Sequence, residues 1–143
     1  MSKVHTLVKV TVNADYIVGA LKQFFKRMKQ KRLQMVDKGF ILHWDNAPVH
    51  TTNVVTDFLA SKEGVQVLRH PPYSPDLAPC DFFLFPKMKN KLAGESMSSE
   101  TFHKMWFGVT ATLIKDDFTA AYQKWLERQL KCIRVGGSFV EKS

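Results

Sequence analysis

Phe40-Ile41-Leu42-His43-Trp44-Asp45-Asn46-Ala47-Pro48-Val49-His50 is the stretch on which the reading of this chain turns. Gly39 stands before it, and an apolar run broken only by His43 leads straight into an aspartate and a proline turn. A short continuous apolar run bounded by turn residues reads as a strand buried on both faces. Asp45 then sits at the carboxyl end of that strand. A second apolar run, Val65-Gln66-Val67-Leu68, is followed by His70-Pro71-Pro72-Tyr73-Ser74-Pro75-Asp76-Leu77-Ala78-Pro79-Cys80-Asp81. Each proline in that loop fixes one φ angle and pushes the residue before it toward extended geometry. The loop is therefore a stiff bracket that delivers Asp81 to the start of a helix. Thirty-five residues, 46–80, separate the two carboxylates.

Upstream, Val4, Leu7, Val8, Val10 and Val12 alternate weakly, which predicts a strand over 4–12. Asn13 offers an N-cap and Asp15 an acid in the first turn of a helix carrying Ile17, Leu21, Phe24, Phe25 and Met28. Lys26, Arg27, Lys29, Lys31 and Arg32 crowd its far end, where they suit the helix dipole and can also touch phosphates. Thr51 or Thr52 caps a helix bearing Val54, Val55, Phe58 and Leu59, which Gly64 closes. Residues 4–68 thus read strand, helix, strand, helix, strand. That order predicts an α/β layer of parallel strands with its functional edge beyond the strands' carboxyl ends, where Asp45 lies.

Downstream, a helix from Asp81 carries Phe82, Phe83, Leu84, Phe85, Met88 and Leu92, and Gly94 ends it. Asp81 is read as its N-cap, and Pro86 demands a kink or a later start. Ser98 or Ser99 caps a further helix with Phe102, Met105, Trp106, Val109 and Leu113 on one face. Asp116 or Asp117 caps the last, with Phe118, Tyr122, Trp125 and Leu126 on its face. Both aromatic stripes are expected in the core. Val135-Gly136-Gly137 opens a short polar tail.

The bulk numbers fit one folded domain over 1–143. Hydrophobic residues are 45% of the chain, Phe alone numbering 11, which excludes a disordered chain. Lys+Arg 21 against Asp+Glu 13 gives a net charge of +8. That excess favours a polyanionic partner, nucleic acid or an acidic membrane surface, with solvated surface lysines as the plain alternative. Cys80 and Cys132 form no metal-binding spacing and read as reduced intracellular thiols. No apolar run approaches the length of a membrane span, and Met1-Ser2-Lys3-Val4-His5 lacks a signal-peptide core.

Phosphodiester chemistry by two metals needs hard oxygen ligands held close around one phosphate. Magnesium takes a few carboxylates from separate elements and keeps its waters. A strand-end Asp45 and a helix-start Asp81 suit that use. On residue type alone, a turn aspartate and an N-cap aspartate remain the commoner roles.

The wording of the two motifs goes further. Trp44-Asp45-Asn46-Ala47-Pro48-Val49-His50 with His70-Pro71-Pro72-Tyr73-Ser74-Pro75-Asp76-Leu77-Ala78-Pro79-Cys80-Asp81 closely resembles the mariner branch of the Tc1/mariner transposases. Thr11-Val12-Asn13-Ala14-Asp15-Tyr16 resembles that family's lead-in to its first core helix, and Trp125 through Cys132-Ile133-Arg134-Val135-Gly136-Gly137 its C-terminal end. The likeness covers roughly 10–142. The same module also occurs fused to a histone-lysine methyltransferase, and nothing here resembles the methyltransferase part. The resemblance implies a ribonuclease H-like fold, cut-and-paste DNA transposition in the nucleus, Mg²⁺ or Mn²⁺ as cofactor, DNA as partner, and a possible homodimer. It implies three catalytic, metal-binding aspartates, with Asp45 as the second and Asp81 as the third. The interval is one residue longer than the usual mariner spacing. Asp76 is a rival third acid, although the motif favours Asp81. Asn46 and His50 stand near enough to assist with metal or DNA, Asn46 being read as holding the turn.

One departure matters. The family's first aspartate lies on the central strand upstream of the Thr-Val-Asn lead-in, and only Asp15 and Asp37 precede Asp45 here. Neither suits the role. The expectation is a partial catalytic domain, truncated N-terminally, without its first catalytic strand or its helix-turn-helix modules, and inactive alone. A nucleic-acid-binding remnant and an oligomerisation module are the alternatives.

Overall fold

A computed structural model describes residues 11–92 and 99–140. In chain order these form α1 (Ala14–Lys31), α2 (Leu33–Lys38), β1 (Phe40–Trp44), α3 (Asn53–Ala60), β2 (Val65–Arg69), α4 (Phe85–Leu92), α5 (Ser99–Thr112) and α6 (Lys115–Arg134). Short 3₁₀ turns at Pro48–Thr51 and Pro75–Leu77, and a π-helical turn at Cys80–Leu84, lie between them. The chain divides into two compact units, Met1–Pro72 and Tyr73–Ser143. Of the strand predicted over 4–12, residues 4–10 lie outside the described residues, and Thr11 and Val12 are not in a strand.

In the first unit, Asn13 caps α1 as its sequence suggests, its Oδ1 accepting the Tyr16 N–H at 2.9 Å. Arg32 (φ −140°, ψ 44°) breaks the helix, and α2 follows as a separate short helix that the apolar spacing did not reveal. β1 and β2 pair in parallel, from Phe40 opposite Val65 to Trp44 opposite Arg69. The ladder starts between two glycines. Gly39 has φ 79° and ψ 159°, a region essentially closed to other residues. A Cβ there would stand 2.7 Å from the Gly64 carbonyl oxygen, the same oxygen that accepts the Phe40 N–H at 2.9 Å. Gly64 therefore does not close α3. That helix stops at Ala60 with Ser61 as cap, and Gly64 (φ 74°) turns the chain into β2.

Leu21 of α1 and Val55 and Leu59 of α3 form the buried core, with Leu42, Trp44 and Val67 of the sheet packed against it. Thr52 occupies the N-cap of α3, but its hydroxyl donates back to the Val49 carbonyl instead of accepting from the helix. The expectation of a strand buried on both faces is corrected: Ile41 is 64% exposed. Both α1 and α3 lie on the face of Leu42 and Trp44, and side chains alternate along a strand, so Ile41 points the other way.

In the second unit the Pro75–Leu77 turn is the anchor. Arg128 of α6 donates from a guanidinium N–H to the Asp76 carbonyl (2.8 Å), and the Trp125 indole N–H donates to the Leu77 carbonyl (2.8 Å). The Asp76 carboxylate accepts the Val140 N–H (2.8 Å). These bonds fix which side of α6 faces inward. Ala121 and Arg128 are buried and Trp125 is half-buried, while Phe118, Tyr122 and Leu126 are exposed, so of that expected core stripe only Trp125 faces inward. On α5, Val109 is buried, whereas the side chains of Phe102 and Met105 lie outside the described residues.

Two capping expectations change. Asp81 is not an N-cap but the second residue of the π turn, its N–H bonded to the Ala78 carbonyl (2.9 Å). Pro79 starts the turn, and Ala78 before it is extended, as a residue preceding proline should be. Pro86 supplies no N–H and crowds the carbonyl four residues back, which accounts for the wide turn ahead of α4. At α6 the N-cap is Ile114, and Asp117 sits three residues in, its carboxylate accepting the Ile114 N–H (3.0 Å). Ser99 is the first residue of α5, while Ser98 and Gly94 lie outside the described residues.

Gly39→Ala is expected to destabilise the chain by about 1–3 kcal/mol in chemical denaturation, because it forces a side chain into a glycine-only conformation and against the Gly64 carbonyl. A loss below a few tenths would show that the entrance to the ladder relaxes freely.

Candidate functional site

β1 ends at Trp44, and the parallel ladder continues one step beyond it, the His70 N–H donating to the Trp44 carbonyl at 2.8 Å. Asn46 closes the same exit by donating from its side-chain amide to the His70 carbonyl. Asn46 thus holds more than its own turn. It ties the chain leaving β1 to the chain leaving β2.

Asp45 sits between these ties. Its Oδ1 accepts the Ala47 N–H (3.1 Å) and is hydrogen-bonded to His50 Nδ1. Pro48 opens the 3₁₀ turn that brings His50 back, and the imidazole lies tilted on the Trp44 indole with centroids 4.5 Å apart. Trp44 Nε1 donates to the His50 carbonyl at 3.3 Å, which fixes both rings. Asp45 itself remains 57% exposed, and its Oδ2 takes no hydrogen bond among the described residues. Burial, the largest single influence, raises the Asp45 pKa. The Ala47 N–H, the His50 hydrogen bond and the charges of His50 and His70 together outweigh it and hold the carboxyl below the ordinary 3.8. The group is therefore a fixed, ionised carboxylate with one oxygen open.

Two histidines escaped notice in the sequence as a pair. His43 Nε2 and His70 Nδ1 share a hydrogen bond at 3.1 Å. The signal was present: His43 is opposite Leu68, so His70 falls two residues further on and projects to the same face. Burial, then the His70 charge, lower the His43 pKa from 6.5, opposed by Asp45.

Asp81 belongs to the second unit, where it is exposed on the π turn. It borders an open groove of about 520 Å³ lined with Phe85, Met88 and Trp106. No hydrogen bond engages its carboxylate among the described residues. The rival acid Asp76 is only 4% exposed, and its carboxylate is tied to Val140. Burial removes Asp76 from contact with any outside ligand. Asp15 lies in the first turn of α1, and Asp37 precedes β1, at the end of the strand opposite Asp45.

Asp45 meets the chemistry of a magnesium or manganese ligand, a hard, ionised, oriented oxygen. Among the described residues no group of three or more His, Cys, Asp or Glu is assembled to hold an ion.

Comparison with known proteins gives a consistent picture. The sequence profile of the DDE superfamily endonuclease family matches residues 2–102. The mariner Mos1 transposase of Drosophila mauritiana is 38% identical over 113 residues, 78% of this chain and 31% of that protein. Human histone-lysine N-methyltransferase SETMAR is 28% identical over 133 residues, 92% of this chain and 19% of that protein. This chain therefore spans about a third or less of these relatives. The crystal structure of the Mos1 catalytic domain superposes with a TM-score of 0.85 at 32% identity, over 93% of this chain and 66% of that one. The Mos1 paired end complex with Mn superposes equally well, over 93% and 39%.

Two measurements check this geometry. Asp76→Ala removes the acceptor of a buried N–H and should cost about 1–3 kcal/mol, whereas Asp81→Ala on the exposed turn should stay within about 0.5 kcal/mol. Equal effects would mean that the two acids are not separated by burial as described. The second measurement is the pH dependence of the metal-free protein. His43 has a folded pKa below its unfolded value, so the unfolded chain binds the proton first. Its stabilising contribution is complete above about 6.5 and is lost as the pH falls toward the folded value. The melting temperature should therefore drop on acidification from about pH 7.5 to about pH 5, and His43→Gln should flatten that slope.

Proposed function

Since the chain belongs to the DDE superfamily endonuclease family and is homologous to the mariner transposase catalytic domain, we propose that it is part of a ribonuclease H-like domain for metal-dependent phosphodiester chemistry on DNA. Asp45 and Asp81 are the inherited metal-ligand and catalytic positions, with Mg²⁺ or Mn²⁺ as the ion. The observation that carries this is the state of Asp45: ionised, fixed through Oδ1 by Ala47 and His50, and open at Oδ2. A bound ion would activate a water or a 3′-hydroxyl and stabilise the leaving oxygen. The chain's own contribution is orientation. Trp44 stacks on His50, His50 holds Oδ1, and the Asn46–His70 tie keeps the strand exits together.

Two acids are fewer than this chemistry uses. Asp15 and Asp37 are the only acids before Asp45; Asp15 lies in the first turn of α1, and Asp37 lies at the end of β1 away from Asp45. We infer that the 143-residue chain binds the metal weakly and does not cleave DNA alone. DNA is the proposed partner, since related Mos1 structures are paired end and strand transfer complexes, and the nucleus is the corresponding setting. The exposed row Phe118, Tyr122, Leu126 and Leu130 on α6 favours a second reading, a surface that joins two copies.

Manganese titration by calorimetry and nicking of supercoiled DNA test the proposal together. Weak binding lost in Asp45→Asn, with no nicking by either protein, is expected. Mn²⁺ binding unchanged in Asp45→Asn would remove Asp45 from the site. Robust nicking by the unmodified chain, abolished in Asp45→Ala, would overturn the inference of inactivity.

A further inference from the structure

The end of the β1–β2 ladder away from Asp45 has its own character. An open groove of about 1100 Å³ lies there, in the first unit, floored by Phe25, Phe40 and Phe58 around Gly39 and Gly64. Lys22, Lys26 and Lys29 enter it from α1, Lys38 from the end of α2, and Lys62 from the connection between α3 and β2. Asp37 and Glu63 are the only acids in the lining. None of the five lysines makes an ion pair among the described residues.

We propose that this groove is a second DNA contact, gripping backbone phosphates at the opposite end of the strands from the candidate metal ligands. This inference rests on the reading of DNA as the partner and adds a surface to it. A merely solvated lysine face would be flat and fed by one element. Here the cations converge from three parts of the chain on one concavity. Lys22, Lys26 and Lys29 follow helical spacing along a single face of α1, rising about 6 and 4.5 Å per step. They present a row of charge to a linear polyanion. Lys62 is held in place with its ammonium 4.3 Å from the Phe58 ring centroid and 5.8 Å from that of Phe25, which keeps a cation over the apolar floor. Charge complementarity selects the ligand: five cations against two acids attract phosphates without reading base edges. β1 is five residues long, so the groove lies about 16 Å from Asp45. A duplex contacting it would be held without occupying the metal-ligand edge.

The experiment measures binding of a fluorescein-labelled DNA duplex of arbitrary sequence to the full chain, by anisotropy across a salt series. Lys22→Gln/Lys26→Gln/Lys29→Gln is compared with Lys115→Gln/Lys124→Gln/Lys131→Gln on α6, which makes the same change in net charge. The groove variant should lose at least tenfold in affinity, and its log–log salt slope should fall by up to about three units. The α6 variant should lose less than threefold. Melting temperatures confirm that both variants fold, and the single Lys26→Glu should weaken binding on its own. Equal losses in both triple variants, or a groove variant that binds like the unmodified chain, would overturn the groove while leaving DNA as a partner. No binding by the unmodified chain even at low salt would overturn the DNA reading and the groove together. Equally tight, lysine-dependent binding to phosphatidylserine vesicles would assign the groove to a lipid surface instead.

Discussion

The parallel pairing of β1 with β2 is set at both ends by contacts that tolerate no slip. At the entrance, two glycines with positive φ bring Gly39 against the Gly64 carbonyl, so the Phe40 N–H can reach it. At the exit, the His70 N–H meets the Trp44 carbonyl and Asn46 meets the His70 carbonyl. A shift of one residue would turn Leu42 and Trp44 away from the helices and bring Ile41 in. It would also break the ties of Trp44 and Asn46 to His70 that hold the strand exit beside Asp45. Core and candidate site therefore depend on one register. The strongest sequence motif in the chain lies at the point where the register is fixed.

Much of the first unit was legible for this reason. Asn13 as a cap, the helical spacing of Ile17 and Leu21, and two short apolar runs separated by a helical pattern all express local chemistry, and each appears where expected. The likeness to the mariner catalytic domain was legible from Trp44–His50 and His70–Asp81, and structures of that domain superpose closely. What failed was orientation. Whether both faces of β1 are covered, or which side of α6 points inward, depends on partners distant in sequence. On α6 the decision belongs to the Asp76 and Leu77 carbonyls, which capture Arg128 and Trp125. A hydrogen-bonded arginine takes the interior place expected for Phe118, Tyr122 and Leu126, and hydrophobic periodicity carries no sign of that.

Asp76 and Asp81 show how burial sorts residues that sequence leaves equivalent. Both follow a proline by one or two positions, and both lie within the same motif. Asp76 is drawn inside because its carboxylate accepts the Val140 N–H and its carbonyl accepts one Arg128 guanidinium N–H. A buried carboxylate with such duties stabilises the fold and is closed to solvent ions. Asp81 is left outside on a turn widened ahead of Pro86. The proline that seemed an obstacle to a helix from Asp81 instead fits a π turn that displays this acid. Such turns recur at functional sites because they change the direction of one side chain without ending the helix.

The two ends of the strand pair carry opposite chemistry, and their separation has a physical use. At the carboxyl end an ionised Asp45 is surrounded by imidazoles and by no lysine ion pair among the described residues. At the other end stand five lysines. About 16 Å of strand lies between them, roughly two Debye lengths at physiological ionic strength. The lysines therefore do little to neutralise the carboxylate across solvent, and a divalent ion would meet Asp45 with most of its attraction intact. Were the same cations at the carboxyl end, they would compete with the metal for Asp45. Placed beyond screening distance, these lysines can attract a polyanion strongly while leaving the Asp45 carboxylate unneutralised by them.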